Sequence, residues 1–95
     1  MNRRIRFRHN NIRYYRKIWG YTLKDVAFLL GLNDITQISR WETGKEMPSL
    51  ASLIKLAYIF RTPCERLFND YRKLLTQPIQ KREQVLAKRL RTYDK

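Results

Sequence analysis

The sequence predicts an all-α fold, with five short helices flanked by a basic N-terminal arm and an extra C-terminal helix. Three observations predict it. Apolar residues recur at helical spacing along most of the chain. The three glycines, Gly20, Gly31 and Gly44, each follow such a segment, where a helix ends in a left-handed residue. The three prolines, Pro48, Pro63 and Pro78, each lie near the start of one, where a missing N–H costs no intrahelical bond. Only "RIRFR" alternates with period two, and five residues without a partner strand suit an extended arm better than a sheet. The chain therefore divides into an arm over 1–10, a domain over 11–70 and a basic C-terminal helix over 71–95.

The first helix is expected over 11–19, with Ile12, Tyr15, Ile18 and Trp19 on one face. The second opens at Thr22, where Thr22 and Asp25 resemble a capping box, and carries Val26, Ala27, Leu29 and Leu30. The third starts after "LND", where Asn33 or Asp34 can cap, and runs to Thr43. The fourth has Ser49 as its cap, then Leu50, Leu53, Ile54 and Ala57 at helical spacing. The fifth opens with "TPCE": Thr62 caps, Pro63 takes the first position and Glu65 closes the box. A break at "TQP" precedes the last helix, 79–93.

Composition narrows the function. A chain of 95 residues makes one domain, or one domain with tails. One cysteine, Cys64, permits no internal disulfide and fits a reducing, cytoplasmic setting. One histidine, His9, and one cysteine cannot build a zinc site with cysteine and histidine ligands alone, so no metal or other cofactor is expected. Nor can a nucleophile, base and orienter be assembled around a single histidine, so the chain is not read as an enzyme. The opening "MNRRIRFRHN" has no apolar core of a secretory signal, and "VAFLLGL" is far too short to span a bilayer.

The net charge of +13 is unevenly spread. Residues 1–17 hold seven Lys or Arg and no acid, whereas residues 18–71 hold six of each sign. Residues 72–95 hold eight basic and two acidic residues. A neutral centre between two cationic ends points first to nucleic acid as partner and second to an acidic membrane surface. Solubility alone does not require that segregation.

Within the neutral centre, "ITQISRWETGK" (35–45) is the segment fitted to touch something. At 100° per residue Ile35, Ile38 and Trp41 share one side, with Glu42 beside them. Thr36, Arg40 and Thr43 lie opposite, flanked by Gln37 and Ser39. Short polar side chains around one long cation suit a major groove, where Arg pairs with guanine, Gln with adenine and Thr meets the thymine methyl. An ordinary solvated face has the same composition, and the segment alone does not separate the two.

From Ile12 to Phe68 the chain resembles the helix-turn-helix family of phage repressors, Cro proteins and xenobiotic-response-element regulators. Ala27 stands four residues before Gly31, as in the family, whose helices approach closely there. "ISRWETG" matches its recognition-helix pattern through Ile38, Ser39, Trp41, Glu42 and Gly44. Lys45, Pro48, Ser49 and Leu50 match its following loop, and Glu65, Leu67 and Phe68 its last helix. The chain departs at Leu23, where the family commonly has a phosphate-contacting Gln. Its turn "GLND" is also one residue longer than the commonest form.

The resemblance implies a five-helix repressor-like domain that binds duplex DNA as a small prokaryotic or phage transcriptional regulator. It makes Thr36, Gln37 and Arg40 base readers, Ser39 and Thr43 flanking contacts, and Lys45 a phosphate contact. It also implies that Arg16 and Glu42 pair across the globule as a structural ion pair, the alternative being two solvated charges. The arm, with Arg3, Arg4, Arg6 and Arg8, can follow phosphates or enter the minor groove; otherwise it is a tail. The C-terminal helix, with Ile79, Val85, Leu86, Leu90 and Tyr93, can pack on its own globule or pair with a second copy in a homodimer, with a membrane surface a distant third. A rival reading is an antitoxin-type protein that holds a protein partner through this helix and binds its own operator. An RNA-binding module is disfavoured by the absence of a sheet and aromatic platform.

Overall fold

The computed structural model describes residues 10–93. Arg3, Arg4, Arg6, Arg8 and His9 lie outside the described residues. Six helices follow in order: α1 (Ile12–Ile18), α2 (Leu23–Leu30), α3 (Thr36–Glu42), α4 (Leu50–Phe60), α5 (Cys64–Leu67) and α6 (Asn69–Tyr93). There is no strand among the described residues.

The three glycines do what their spacing predicts. Gly20, Gly31 and Gly44 stand at φ +74°, +75° and +78° and close α1, α2 and α3. Each closure has the same two bonds: at α2, Leu32 N–H donates to the Ala27 carbonyl and Gly31 N–H to that of Phe28. Arg61 ends α4 in the same left-handed way at φ 52°, and Thr62 N–H donates to the Ala57 carbonyl. That closure explains one correction. Thr62 is committed to ending α4, so it does not cap α5; Pro63 takes the cap position and no side chain caps that helix.

Two starts are built as expected. Thr22 Oγ1 accepts from Asp25 N–H at 3.0 Å, and Asp25 Oδ2 accepts from Thr22 N–H at 2.8 Å. Ser49 Oγ accepts from Ser52 N–H at 3.2 Å. Such caps contribute about 1 kcal/mol each. The start of α1 is tied down differently. Asn10 Oδ1 accepts from Ile12 N–H while its Nδ2 donates to the Trp41 carbonyl, and Asn11 N–H and Nδ2 donate to the carbonyls of Leu67 and Arg66. Two adjacent asparagines thus fix α1 to the ends of both α3 and α5.

Ile12, Val26, Ala27, Ile38, Trp41, Leu56, Phe60, Leu67 and Phe68 form one core, to which every helix from α1 to α5 contributes. The inward faces differ from expectation most on α1 and α4, and on α2 Leu29 is also exposed. On α1, Ile18 is 60% exposed and the inward position belongs to Arg16. Trp19 lies over the surface, its Nε1 donating to the Phe60 carbonyl and its ring stacked on Tyr21. On α4, Leu56 and Phe60 are buried while Leu50 and Ile54 are exposed. Both helices carry more apolar residues than one stripe can bury, so spacing alone leaves the rotation open.

The C-terminal part is the largest correction. No break occurs at "TQP": α6 runs unbroken for 25 residues with Pro78 inside it. Thr76 Oγ1 turns back to the Lys73 carbonyl instead of starting a new helix. Proline removes one helical bond, that from residue 78 to the Leu74 carbonyl. This stretch is exposed, so water replaces the bond, and good helix formers on either side carry the helix through. The first turns of α6 edge an apolar groove lined by Met47, Leu53, Cys64, Phe68, Tyr71 and Leu75. Beyond them α6 is exposed, and the molecule measures 61 × 31 × 21 Å.

Candidate nucleic-acid interface

α2 and α3 are joined by residues 31–35, and Ala27 of α2, 4% exposed, shares the core with Ile38 and Trp41 of α3. α3 starts where Asp34 Oδ1 accepts from Thr36 N–H at 3.0 Å, in place of a conventional cap. Ile38 and Trp41 anchor α3 in the core, and Ile35 packs against it. Burying two such side chains contributes about 1.5–3 kcal/mol each. With that face fixed, the opposite one is presented to solvent. Thr36, Arg40 and Thr43 are exposed there, Gln37 and Ser39 are half-buried beside them, and Lys45 is exposed in the loop that follows. Thr36, Arg40 and Thr43 thus lie on the part of α3 turned away from Ile38 and Trp41, with Gln37 and Ser39 on its flanks and Lys45 following in the loop.

Their hydrogen bonds refine what each offers. Thr43 Oγ1 donates to the Ser39 carbonyl at 2.9 Å, so its hydroxyl proton is turned onto its own helix. Lys45 N–H donates to the Arg40 carbonyl at 2.9 Å, which folds the loop back against the end of α3. Leu23, where a phosphate-binding Gln was absent, packs against the core.

Behind this face lies a buried ion pair. Arg16 Nε donates to Glu42 Oε2 at 2.6 Å and Arg16 Nη2 to Glu42 Oε1 at 3.2 Å. Arg16 Nη1 donates to the Tyr21 carbonyl at 2.9 Å. The two side chains are 11% and 8% exposed. A guanidinium held in this two-pronged way fixes orientation as well as distance. It links α1, the turn after it and the last residue of α3.

One residue of this surface escaped the sequence reading. Glu46 lies in the loop after α3, and its Oε1 accepts from Gln37 Nε2 at 2.8 Å and stands 3.9 Å from Arg40 Nη1. Nothing in the spacing signals this, because Gln37 and Glu46 are nine residues apart across the helix end and a turn.

A helix-turn-helix family model matches residues 12–67. The chain belongs to the helix-turn-helix family. The match begins at the first residue of α1 and ends at the last of α5, and α6 follows it in the chain. No curated protein and no solved structure matches the chain. This helix-turn-helix domain supports sequence-specific DNA binding by a transcription regulator. Among the described residues there is no group of three or more His, Cys, Asp or Glu that could hold a metal ion, and no helix long and apolar enough to cross a membrane.

Proposed function

We propose that the chain is a small prokaryotic or phage transcriptional regulator that reads its operator with the outer face of α3. The second helix of a helix-turn-helix enters the major groove, and here that helix is α3. Thr36, Gln37 and Arg40 meet base edges, Ser39 and Thr43 flank them, and Lys45 meets a phosphate. Arg3, Arg4, Arg6 and Arg8 neutralise further phosphates. The observation that carries this reading is the division of α3: Ile38 and Trp41 are held in the core while Thr36 and Arg40 stand exposed on the other side. A helix fixed on one face by packing offers the other as a rigid reading surface, and phosphate contacts then position what base contacts specify.

Arg40→Ala tests it. The substitution is expected to leave the melting transition unchanged and to cost about 1–3 kcal/mol on the best duplex selected from a random pool. Random duplex should lose much less. Equal losses on both would make Arg40 a phosphate contact and overturn its base-reading role.

A second reading is favoured by α6. Leu75, Ile79, Val85, Leu86 and Leu90 are all about half exposed along a helix that leaves the globule. Such a stripe fits a second copy of the chain or a protein partner, as an antitoxin would use it. A pseudo-palindromic selected site with half-sites roughly 34 Å apart would support the homodimer.

A further inference from the structure

A carboxylate is out of place on a surface that meets phosphates. Glu46 is nevertheless held on the reading face, 44% exposed in its side chain, between Gln37 and Arg40. Its position is not an accident of a loose loop. Glu46 N–H donates to the Arg40 carbonyl at 3.2 Å, beside the bond that Lys45 N–H gives the same oxygen. The backbone thus delivers the carboxylate to α3, where a single oxygen, Oε1, faces both Gln37 Nε2 at 2.8 Å and Arg40 Nη1 at 3.9 Å.

On the reading of α3 given above, we propose that Glu46 is a specificity-determining residue that positions Gln37 and Arg40 for base edges and penalises any other use of them. Two physical effects combine. First, a Gln amide pairs with adenine by donating and accepting at once, and needs its plane set correctly. One Nε2 hydrogen given to Glu46 sets that plane, and leaves the second hydrogen and Oε1 for the base. Second, Arg40 is already offset by a negative charge. A phosphate on random DNA must compete with Glu46 for Arg40 while being repelled by it. A guanine edge offers two acceptors without a full charge, and meets less repulsion. Glu46 therefore weakens binding to all DNA, and weakens it most where the bases are wrong. Discrimination obtained by an unfavourable element in this way is a general route to specificity.

The experiment compares wild type, Glu46→Ala, Glu46→Gln, Gln37→Ala, Arg40→Ala and the Glu46→Ala/Gln37→Ala double variant in the full chain. Two probes are used: a duplex that wild type selects from a random pool, and a random-sequence duplex. Glu46 is exposed, so thermal melting should be the same for all its variants. Glu46→Ala is expected to bind random duplex more tightly and to reduce the ratio of selected to random affinity by roughly tenfold, the size of one charge-assisted hydrogen bond. Glu46→Gln keeps an acceptor for Gln37 and loses the charge, so its ratio should fall between. Repeat selection with Glu46→Ala should relax base preference at the position that Gln37→Ala also relaxes, and the double variant should lose less than the two single losses combined. If Glu46→Ala tightens both duplexes by the same factor, or moves neither, while Arg40→Ala lowers the ratio, Glu46 is only a surface charge and the proposal falls with the reading of α3 intact. If Gln37→Ala and Arg40→Ala also leave the ratio unchanged, that reading falls and takes this one with it.

Discussion

Two helices of this chain stand in contrast. α3 has seven residues and sinks Ile38 and Trp41 into the core. α6 has 25 residues, and from Asn69 to Arg91 none of them is buried. A seven-residue peptide does not hold a helix in water, since isolated helices shorter than about 12–15 residues are marginal. α3 is helical because its neighbours hold it. α6 is long enough, and rich enough in Leu, Lys, Arg, Gln and Glu, to propagate on local propensity. In the first helix, shape depends on the whole globule; in the second, it depends on the segment itself. Damage should therefore spread in one region and stay local in the other.

The sharpest way to break the contrast is at the buried pair. Removing Arg16 or Glu42 alone leaves a buried charge uncompensated, and unfolding in urea should show a loss of about 3–5 kcal/mol for either. Replacing both with apolar residues should cost less than the worse single change. Additive single effects in the double-mutant cycle would show that the two charges do not depend on each other.

The same substitution made in the two regions sharpens it next. Leu56→Ala opens a cavity in the core and should cost about 2–5 kcal/mol. Leu86→Ala on α6 should stay within about 0.5 kcal/mol, as surface changes do. Equal losses would mean that α6 is packed against something in solution, and a stability that rises with protein concentration would identify a second copy.

The smallest effect on stability, and the one that separates folding from binding, comes from the cationic ends. Deleting residues 1–8 removes four arginines. Each phosphate neutralised adds about −0.9 to the slope of log affinity against log salt, so the slope should become shallower by roughly two to four units. Thermal melting should not move, and the order of preferred sequences should be kept. An unchanged slope would assign the counterion release to α6, whose cations are the remaining source outside the globule.

What was legible in the sequence follows the same division between local and distant causes. Gly31 and the Thr22–Asp25 pair could be read because the bonds they make span only a few residues. The inner face of α3 could be read because seven residues with two large apolar side chains leave one choice of rotation. Leu50 and Ile54 misled because α4 is apolar on more than one side, and only the packed neighbours decide for Leu56 and Phe60. Thr62 misled because two motifs compete for it, and the closure of α4 takes it first. Pro78 misled because a proline reads as a boundary where a helix must be buried, whereas an exposed helix can lose one bond to water. The exposure of Thr36, Arg40 and Thr43 on the outer side of α3 was legible from periodicity. Glu46 was not, since a turn rather than a repeat carries it back to Gln37.

Pro78 also has a mechanical side. It stands about two-fifths of the way along α6, exposed and without the helical bond to the Leu74 carbonyl. The 15 residues from 79 to 93 form an arm of about 22 Å at the rise of an α-helix. Ten degrees of play at that joint would swing the far end through about 4 Å. The packed globule would keep its form while the tip of α6 sweeps the space beside it. A single prolyl residue would then set how far the tip of α6 reaches from the packed globule.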